Sequence, residues 1–503
     1  MVLAILYFIA TFFWERRIFQ FPLEGNVLTY IICKFLQLGI LLGAVTFVKY
    51  IKGATTEQRS DLRKVIKYAL PYLLLLGAIS IWQYHNGILP YLDGDEARIL
   101  SWALRYDSGS YMFTYLTGYF YIICISLIPT IYAPVIAKVF IQAGVLGYTM
   151  MRLDKIWKSR LVYLWCLLFL GQPILLDLGP SVHRLPIYGM LYIWFIVKLW
   201  CDYKEKKEIS KWQMLILMFA ATILMHWRVE GIYLLVFAPL LLVMTYRISN
   251  RKQRFMFVGT FLILAVLTGI PQWIENSRQN DYVNERMSHF YNYVFVNMCR
   301  NGLNQKQYQD ELQIIDRYLS VDAVNYINGE LGDLNYADEL IAFHEGYIGV
   351  RENYSNEEYK DYTRQVLKII IKEPLLYLKS QAGAWNYISK FPEGAFETRQ
   401  TGILKLIKYG LVVERFLVYQ LYVPTLIIVI MGVYFLIKKR WLELFTALGV
   451  FGHSCIVFLL MPASYFKYFY IVYLVGYFML LWYILEGWTK KSGRQNIDIY
   501  SNV

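Results

Sequence analysis

Charge is what this chain has least of. Only 17% of its 503 residues are Asp, Glu, Lys or Arg, 57% are hydrophobic, and the mean hydropathy is +0.38. Soluble domains carry about a quarter charged residues, so a wholly water-soluble protein is excluded. Cysteine is also sparse. Of the six, Cys33, Cys124, Cys166, Cys201 and Cys455 lie in or beside apolar stretches, and only Cys299 sits in a polar segment. That rules out a disulfide framework and any zinc-binding spacing. No Ser-His-Asp order, Walker loop or dinucleotide fingerprint is present. Nothing resembles a nucleic-acid module, so no nucleic-acid partner is expected. Internal repeats and low-complexity tracts are missing as well.

What the chain does have is long apolar runs. About 20 mostly apolar residues make a transmembrane helix, and twelve windows qualify, near 2–14, 27–49, 66–84, 131–153, 161–177, 187–202, 211–227, 231–246, 256–271, 411–437, 443–461 and 468–486. The expected fold class is therefore an all-α polytopic membrane protein of about twelve transmembrane helices. Three blocks are expected: a transmembrane module over 1–271, a mainly helical external domain over 272–410, and a transmembrane module with a tail over 411–503. The first window is apolar from its first residue and lacks a basic region and a small-x-small cleavage pattern, so it reads as a retained span.

The net charge of +13 is unevenly placed. Residues 271–399 hold 19 acidic and 13 basic residues, leaving +19 for the remainder. The basic excess sits in short connections: Lys52, Arg59, Arg63 and Lys64; Lys155, Lys158 and Arg160; the run between Tyr203 and Trp212; Arg247, Arg251, Lys252 and Arg254; Lys438, Lys439 and Arg440; and the tail with Lys490, Lys491 and Arg494. The positive-inside rule puts all of these, and both termini, in the cytoplasm of a plasma-membrane protein. The 85–130 loop, the 178–186 loop, the 228–230 turn, the 272–410 segment and the 462–467 loop then face outside. Two stretches fit this alternation poorly. Glu15-Arg16-Arg17 falls outside beside the first span. Phe113 to Leu127 is apolar enough to cross, but crossing would invert the next basic loop, so it is expected to lie on or dip into the outer leaflet, ended by Pro129.

Within the external domain, Ser355 and Glu358 form a capping box, and Pro374 should kink or end the helix that follows. Leu375 to Ile388 continues with apolar residues at helical spacing. Asn353-Tyr354-Ser355 is a glycosylation sequon.

Polar groups gather at the expected outer ends of several spans. Asp93, Asp95 and Glu96 open a helix with an apolar face at Ile99, Leu100, Ala103 and Leu104. Capping accounts for Asp93 and Glu96 but less well for a third acid. His183 and Arg184 follow in the next external loop, then Arg228 and Glu230 in a short turn, then Lys467 in an aromatic run. Charges at membrane depth are costly and point to function. The structural alternatives are interface anchoring for His183, Arg184 and Lys467, and an ion pair closing a helical hairpin for Arg228 and Glu230. His226 and His453 read as satisfied core histidines. The carboxylates would suit a divalent metal, but no ligand series supports one, and no cofactor is assigned. Carboxylates with separate cations at a bilayer surface suit transfer of a group from a lipid phosphate. A carboxylate removes the proton from an acceptor hydroxyl, and Arg or Lys holds the departing phosphate.

In these features the chain resembles the GT-C superfamily of polytopic glycosyltransferases. Asp95-Glu96-Ala97-Arg98 is similar to the acidic pair in the first large external loop of the protein O-mannosyltransferase and aminoarabinose transferase branches. Phe466-Lys467-Tyr468-Phe469-Tyr470 resembles the Arg-Tyr run before the last span, with Lys467 in place of Arg. Trp227 to Tyr233 resembles the Arg-Asn-x-Gly turn of some bacterial members. The resemblance covers the architecture but only about 20 residues in motif. It implies a polyprenyl-phosphate sugar as donor, a lipid, glycan or protein hydroxyl as acceptor, and inverting displacement with Asp95 as base and Asp93 as the second candidate. Glu96 completes that acidic set. Arg228, Lys467 and Arg184 would bind the donor phosphate, with His183 and Glu230 against the substrate. Two other classes compete. An O-antigen or capsule polymerase would favour Arg-rich external loops, whereas residues 271–399 are acidic. A flippase without chemistry would favour paired repeats and broken helices.

Overall fold

The computed structural model describes residues 1–20, 26–85, 94–107, 114–165, 184–248, 250–278, 280–331, 341–343, 347–389, 420–461 and 466–491. Among them the protein is all α-helix, with only an isolated bridge between Leu319 and Val350 as extended pairing. The chain divides into two compact units. One holds residues 1–272, 427–449 and 474–503, and the other 273–426 and 450–473.

Five helices are long and apolar enough to cross a membrane: Val27–Gly53, Ala133–Trp157, Arg251–Ile274, Trp441–Leu460 and Tyr470–Thr489. The first and third bury only 17% of their apolar windows within the protein. Phe35, Phe47, Ile263 and Val266 on them are more than half exposed. Faces of this kind need an apolar solvent. Three further apolar helices are shorter, Tyr115–Leu127, Val229–Thr245 and Tyr422–Ile437.

In the first unit the helices run α1 (Val2–Ile18), α2 (Val27–Gly53), α3 (Thr56–His85), α4 (Gly94–Ala103), α5 (Tyr115–Leu127), α6 (Ala133–Trp157), α7 (Arg184–Lys204), α8 (Lys211–Trp227), α9 (Leu234–Thr245) and α10 (Arg251–Arg278). Pro134 starts α6, and Lys158 in the left-handed region (φ 46°) ends it. A capping box of Ser210 and Gln213 opens α8. Helices α3 and α6 approach closely at Gly147. A Cβ on Gly147 would stand 2.5 Å from the Val65 carbonyl oxygen and 2.8 Å from the Ala69 Cβ. Trp157, Trp200 and Trp482 pack edge to face in the core, with centroids 5.3–5.4 Å apart.

Several expectations are revised. The basic stretch after the second span is not a loop through residue 65, because α3 begins at Thr56. Lys64 pairs with Asp154 at 2.9 Å, and Lys155 with Glu57 and Asp61 at 2.8 and 2.9 Å. Arg440 does lie in the short connection before Trp441, and there it is buried between Glu443 and Glu486, at 2.6 Å from each. Glu15 is not in a polar flank either. It lies within α1, buried, with its carboxylate 2.6 Å from Lys34 on α2. The segment expected at the outer leaflet forms α5, but Tyr115 to Ile125 and Ser126 are almost all buried. It packs as a core helix, because its residues are apolar all round and meet neighbours on every side.

The second unit contains α11 (Asn280–Arg300), α12 (Gln309–Ile315), α13 (Val321–Leu331), α14 (Asn356–Lys372) and α15 (Pro374–Ser389). Its core is a tyrosine cluster. Tyr318 packs on Tyr354, Tyr359 and Tyr362 with centroids 4.6–5.1 Å apart, and the Tyr362 hydroxyl donates to Asn292 Oδ1 at 2.5 Å. The predicted capping box opens α14: Ser355 Oγ accepts from the Glu358 amide and Glu358 accepts from the Ser355 amide. Pro374 ends one helix and starts the next, as predicted. The remaining helices are α16 (Tyr422–Ile437), α17 (Trp441–Leu460) and α18 (Tyr470–Lys491).

Candidate functional site

The acidic segment does form a helix, α4, with Ile99 and Ala103 buried on its apolar face. Its first turn is held from beneath. Glu96 is 1% exposed, and its carboxylate accepts a hydrogen bond from the fully buried Tyr121 hydroxyl on α5. Lys138 on α6, also buried, interacts electrostatically with the same carboxylate. Glu96 is therefore directed into the protein, towards a phenol and an ammonium on two other helices. Asp93 lies outside the described residues, as does the side chain of Asp95. The Asp95 backbone stands in the first turn of α4, one residue before Glu96.

The far end of α4 is fixed too. Leu104 O accepts from the Gln20 amide at 2.8 Å, and Arg105 O from the Asn26 side chain at 3.4 Å. Tyr106, with φ 55° and no exposed surface, stacks on Phe19 at 4.4 Å and makes an edge contact with Tyr30 at 4.9 Å. Its hydroxyl interacts with Glu15 and Ser126. Glu15 is the partner of Lys34, whose ammonium also donates to Thr11 at 2.9 Å and Gln37 at 3.2 Å. The Lys34 ammonium also lies 3.9 Å from the centroid of Phe12.

Arg228 and Glu230 lie in the tight turn between α8 and α9. Arg228 Nε donates to Glu230 Oε1 at 2.8 Å, with the arginine 7% exposed. The hairpin-closing ion pair considered from the sequence is thus present. A Cβ on Gly231 would be 2.6 Å from the Met225 carbonyl oxygen, so the turn requires glycine. Thr114, at the start of α5, donates to Trp227 O at 3.0 Å, and Phe120 on α5 touches the Trp227 ring. Tyr188 on the first turns of α7 interacts with Glu230, Arg228 and Tyr233. Arg184 is the first residue of α7, although its side chain is outside the described set. His183 is outside it altogether.

The region of α5 thus meets both α4 and the end of α8, with Tyr121 on Glu96 and with Thr114 and Phe120 on Trp227, and Tyr188 near the start of α7 meets the Arg228–Glu230 turn. Asp202 on α7, fully buried, accepts from Arg152 at 3.0 Å, Lys198 at 2.7 Å and Tyr246 at 2.6 Å. Lys467 lies in a short 3-10 turn, Phe466–Phe469, of the second unit, with its side chain outside the described residues. The two histidines expected to be satisfied in the core are so: His226 Nε2 pairs with Ala265 O at 2.8 Å and His453 Nε2 with Tyr468 O at 3.2 Å.

Among the described residues no group of three or more His, Cys, Asp or Glu gathers as a metal site. Sequence reasoning missed Tyr121, Lys138, Glu15, Lys34 and the Tyr188–Tyr192–Tyr233 group. Lys34 and Lys138 were detectable, since each is a lone lysine inside an apolar window, where an ionisable group needs a partner. The tyrosines carry no such signal among 44. No protein-family model, curated protein or solved structure matches this chain.

Proposed function

We propose that the protein transfers a sugar from a polyprenyl-phosphate donor to an acceptor hydroxyl at the external face of a membrane, with Asp95 or Asp93 as general base. The observation that supports this reading is that α5 and the residue before it meet both Glu96 of the acidic turn, through Tyr121, and Trp227 beside the Arg228–Glu230 turn, through Thr114 and Phe120, while Tyr188 of α7 meets that turn. Burial of Glu96 divides the three acids by role. A carboxylate engaged by Tyr121 and Lys138 is a positioning group, whereas a base must reach the acceptor hydroxyl. Glu96 fixes the first turn of α4, and Asp95 or Asp93 supplies the base. Arg228 and Arg184 supply positive charge for the lipid phosphate as it leaves. His183 and Glu230 complete the substrate contacts.

The test is a transfer assay with purified full-length protein and a panel of polyprenyl-phosphate sugars. Loss of turnover in Asp95→Asn or Asp93→Asn, with fold and donor binding retained, supports the reading and identifies the base. Turnover unchanged in both variants removes the acidic turn from the chemistry.

A further inference from the structure

The second unit carries an apolar stripe that no part of its own core covers. Leu367 and Ile371 on α14 are 44% and 68% exposed, and Leu375 and Leu378 on α15 are 81% and 41% exposed. Leu367 and Ile371 are one turn apart on α14, and Leu375 and Leu378 one turn apart on α15, on either side of the break at Glu373. Opposite faces of the same helices are buried, at Val366, Ile369, Ser380 and Ala384. The stripe is therefore a second apolar face on helices that already have one. Half-exposed Lys368 and Lys372 flank it, both leaning on Glu311, at 3.0 and 3.3 Å.

What lies against this stripe follows from where α15 sits within the unit. Gln381 donates its side-chain amide to Phe458 O at 3.0 Å and Leu459 O at 3.1 Å, and the Tyr377 hydroxyl also donates to Leu459 O. Those carbonyls are the last of α17, a helix long and apolar enough to cross a membrane. Helix ends leave such carbonyls without partners in their own helix, and α15 supplies the donors. One turn further along, Asn386 Oδ1 accepts from the Tyr422 hydroxyl at 2.6 Å, and Trp385 meets the Tyr422 ring at 4.4 Å. Tyr422 is the first residue of α16, another apolar helix. So α15 meets both the last turn of α17 and the first residue of α16, at the ends of two apolar helices. Leu459 and Leu460 in that last turn of α17 are 39% and 59% exposed, continuing the apolar surface from the span towards α15.

We infer that Ile371, Leu375 and Leu378 seat the second unit on the lipid surface itself, with Lys368 and Lys372, paired to Glu311, at the edge of the apolar patch. An apolar helix face bounded by lysines at the edge of a span is the chemistry of an interfacial helix, not of a protein groove. The inference stands on the membrane reading and is independent of the sugar-transfer proposal.

The test uses the full chain in nanodiscs of phosphatidylethanolamine and phosphatidylglycerol, with the six native cysteines replaced and one environment-sensitive probe attached at Leu375→Cys or Ile371→Cys. Tyr326→Cys, on α13 of the same unit and 70% exposed, is the reference. The seated state predicts blue-shifted emission at 371 and 375, reduced about twofold or more by lipids carrying a quencher near the headgroup, with Tyr326→Cys unaffected. Water-like, unquenched emission at both stripe positions would overturn the inference. Equal quenching at Tyr326→Cys would do so as well, because contact would then be nonspecific.

Discussion

The hydroxyl of Tyr121 on α5 donates to the carboxylate of Glu96 on α4, and both side chains are sealed from solvent. One hydrogen bond thus ties the acidic turn to α5, and the buried Lys138 ammonium interacts electrostatically with the same carboxylate. Removing the partner of a buried charge costs about 3–5 kcal/mol where the charge is left uncompensated. Glu96→Ala should therefore lower thermal stability strongly in detergent, and Lys138→Met should do likewise. The double variant should regain much of the loss. Additive losses in the thermal-shift cycle would mean that the two residues do not act as a pair.

The Asp202 cluster makes a larger demand of the same kind. One carboxylate serves Arg152, Lys198 and Tyr246 with no exposed surface of its own. Asp202→Ala leaves half-buried Lys198 without its carboxylate and buried Arg152 with Glu205 alone, so a loss of up to about 3–5 kcal/mol is expected. Asp202→Asn keeps some hydrogen bonding and should lose less. Thermal melts of the two variants would check the order, and equal stability to wild type would refute the burial argument.

Much of this architecture was legible in the sequence, and the reasons differ by element. Apolar windows announced α2, α6, α10, α17 and α18 because a bilayer-crossing helix must be long and apolar throughout. The capping box at Ser355 and Glu358 was legible because it is a local hydrogen-bond exchange set by three residues of spacing. The core position of α5 was not legible, since an all-apolar helix has the same composition whether lipid or protein covers it. The role of Glu96 was likewise hidden. Its spacing from Asp93 fits a cap, and only the arrival of Tyr121 and Lys138 from later in the chain turns it inward. The approach of α5 to the Arg228–Glu230 turn depends on Thr114 meeting Trp227, a contact 113 residues apart that no local pattern encodes.

Backbone proximity yields a sharper prediction at two glycines. Gly147 lets α6 approach α3 until a Cβ would clash with the Val65 carbonyl, and Gly231 does the same against the Met225 carbonyl in the α8–α9 turn. Backbone cannot swing aside as a flexible side chain can. Gly147→Leu should separate α3 from α6 and reduce the yield of folded, monodisperse protein. Gly144→Leu, where a Cβ meets nothing within 4 Å, should be tolerated far better. Size-exclusion profiles of the pair give the comparison, and equal behaviour would contradict the packing.

In the second unit, acid should act through Glu311. The hydrogen bond from Lys368 is the leading influence holding its carboxyl below the ordinary value of 4.5, and Lys372 adds to it. A carboxyl depressed in the folded state binds protons more weakly there than in the unfolded chain. Its stabilising contribution is thus complete above the unfolded value and is lost as pH falls through the folded one. Glu358 titrates in the same direction because the Ser355 amide and hydroxyl bond to its charged form. The stability of wild type should therefore decline below about pH 4.5, and Glu311→Gln should flatten part of that decline while lowering stability at neutral pH. Near-ultraviolet circular dichroism follows the Tyr318–Tyr362 cluster through the transition. An unaltered pH dependence in Glu311→Gln would assign the acid sensitivity to Glu358 or another carboxylate instead. Lys368→Met should reproduce the Glu311→Gln profile only in part, because Lys372 still holds the carboxylate at 3.3 Å.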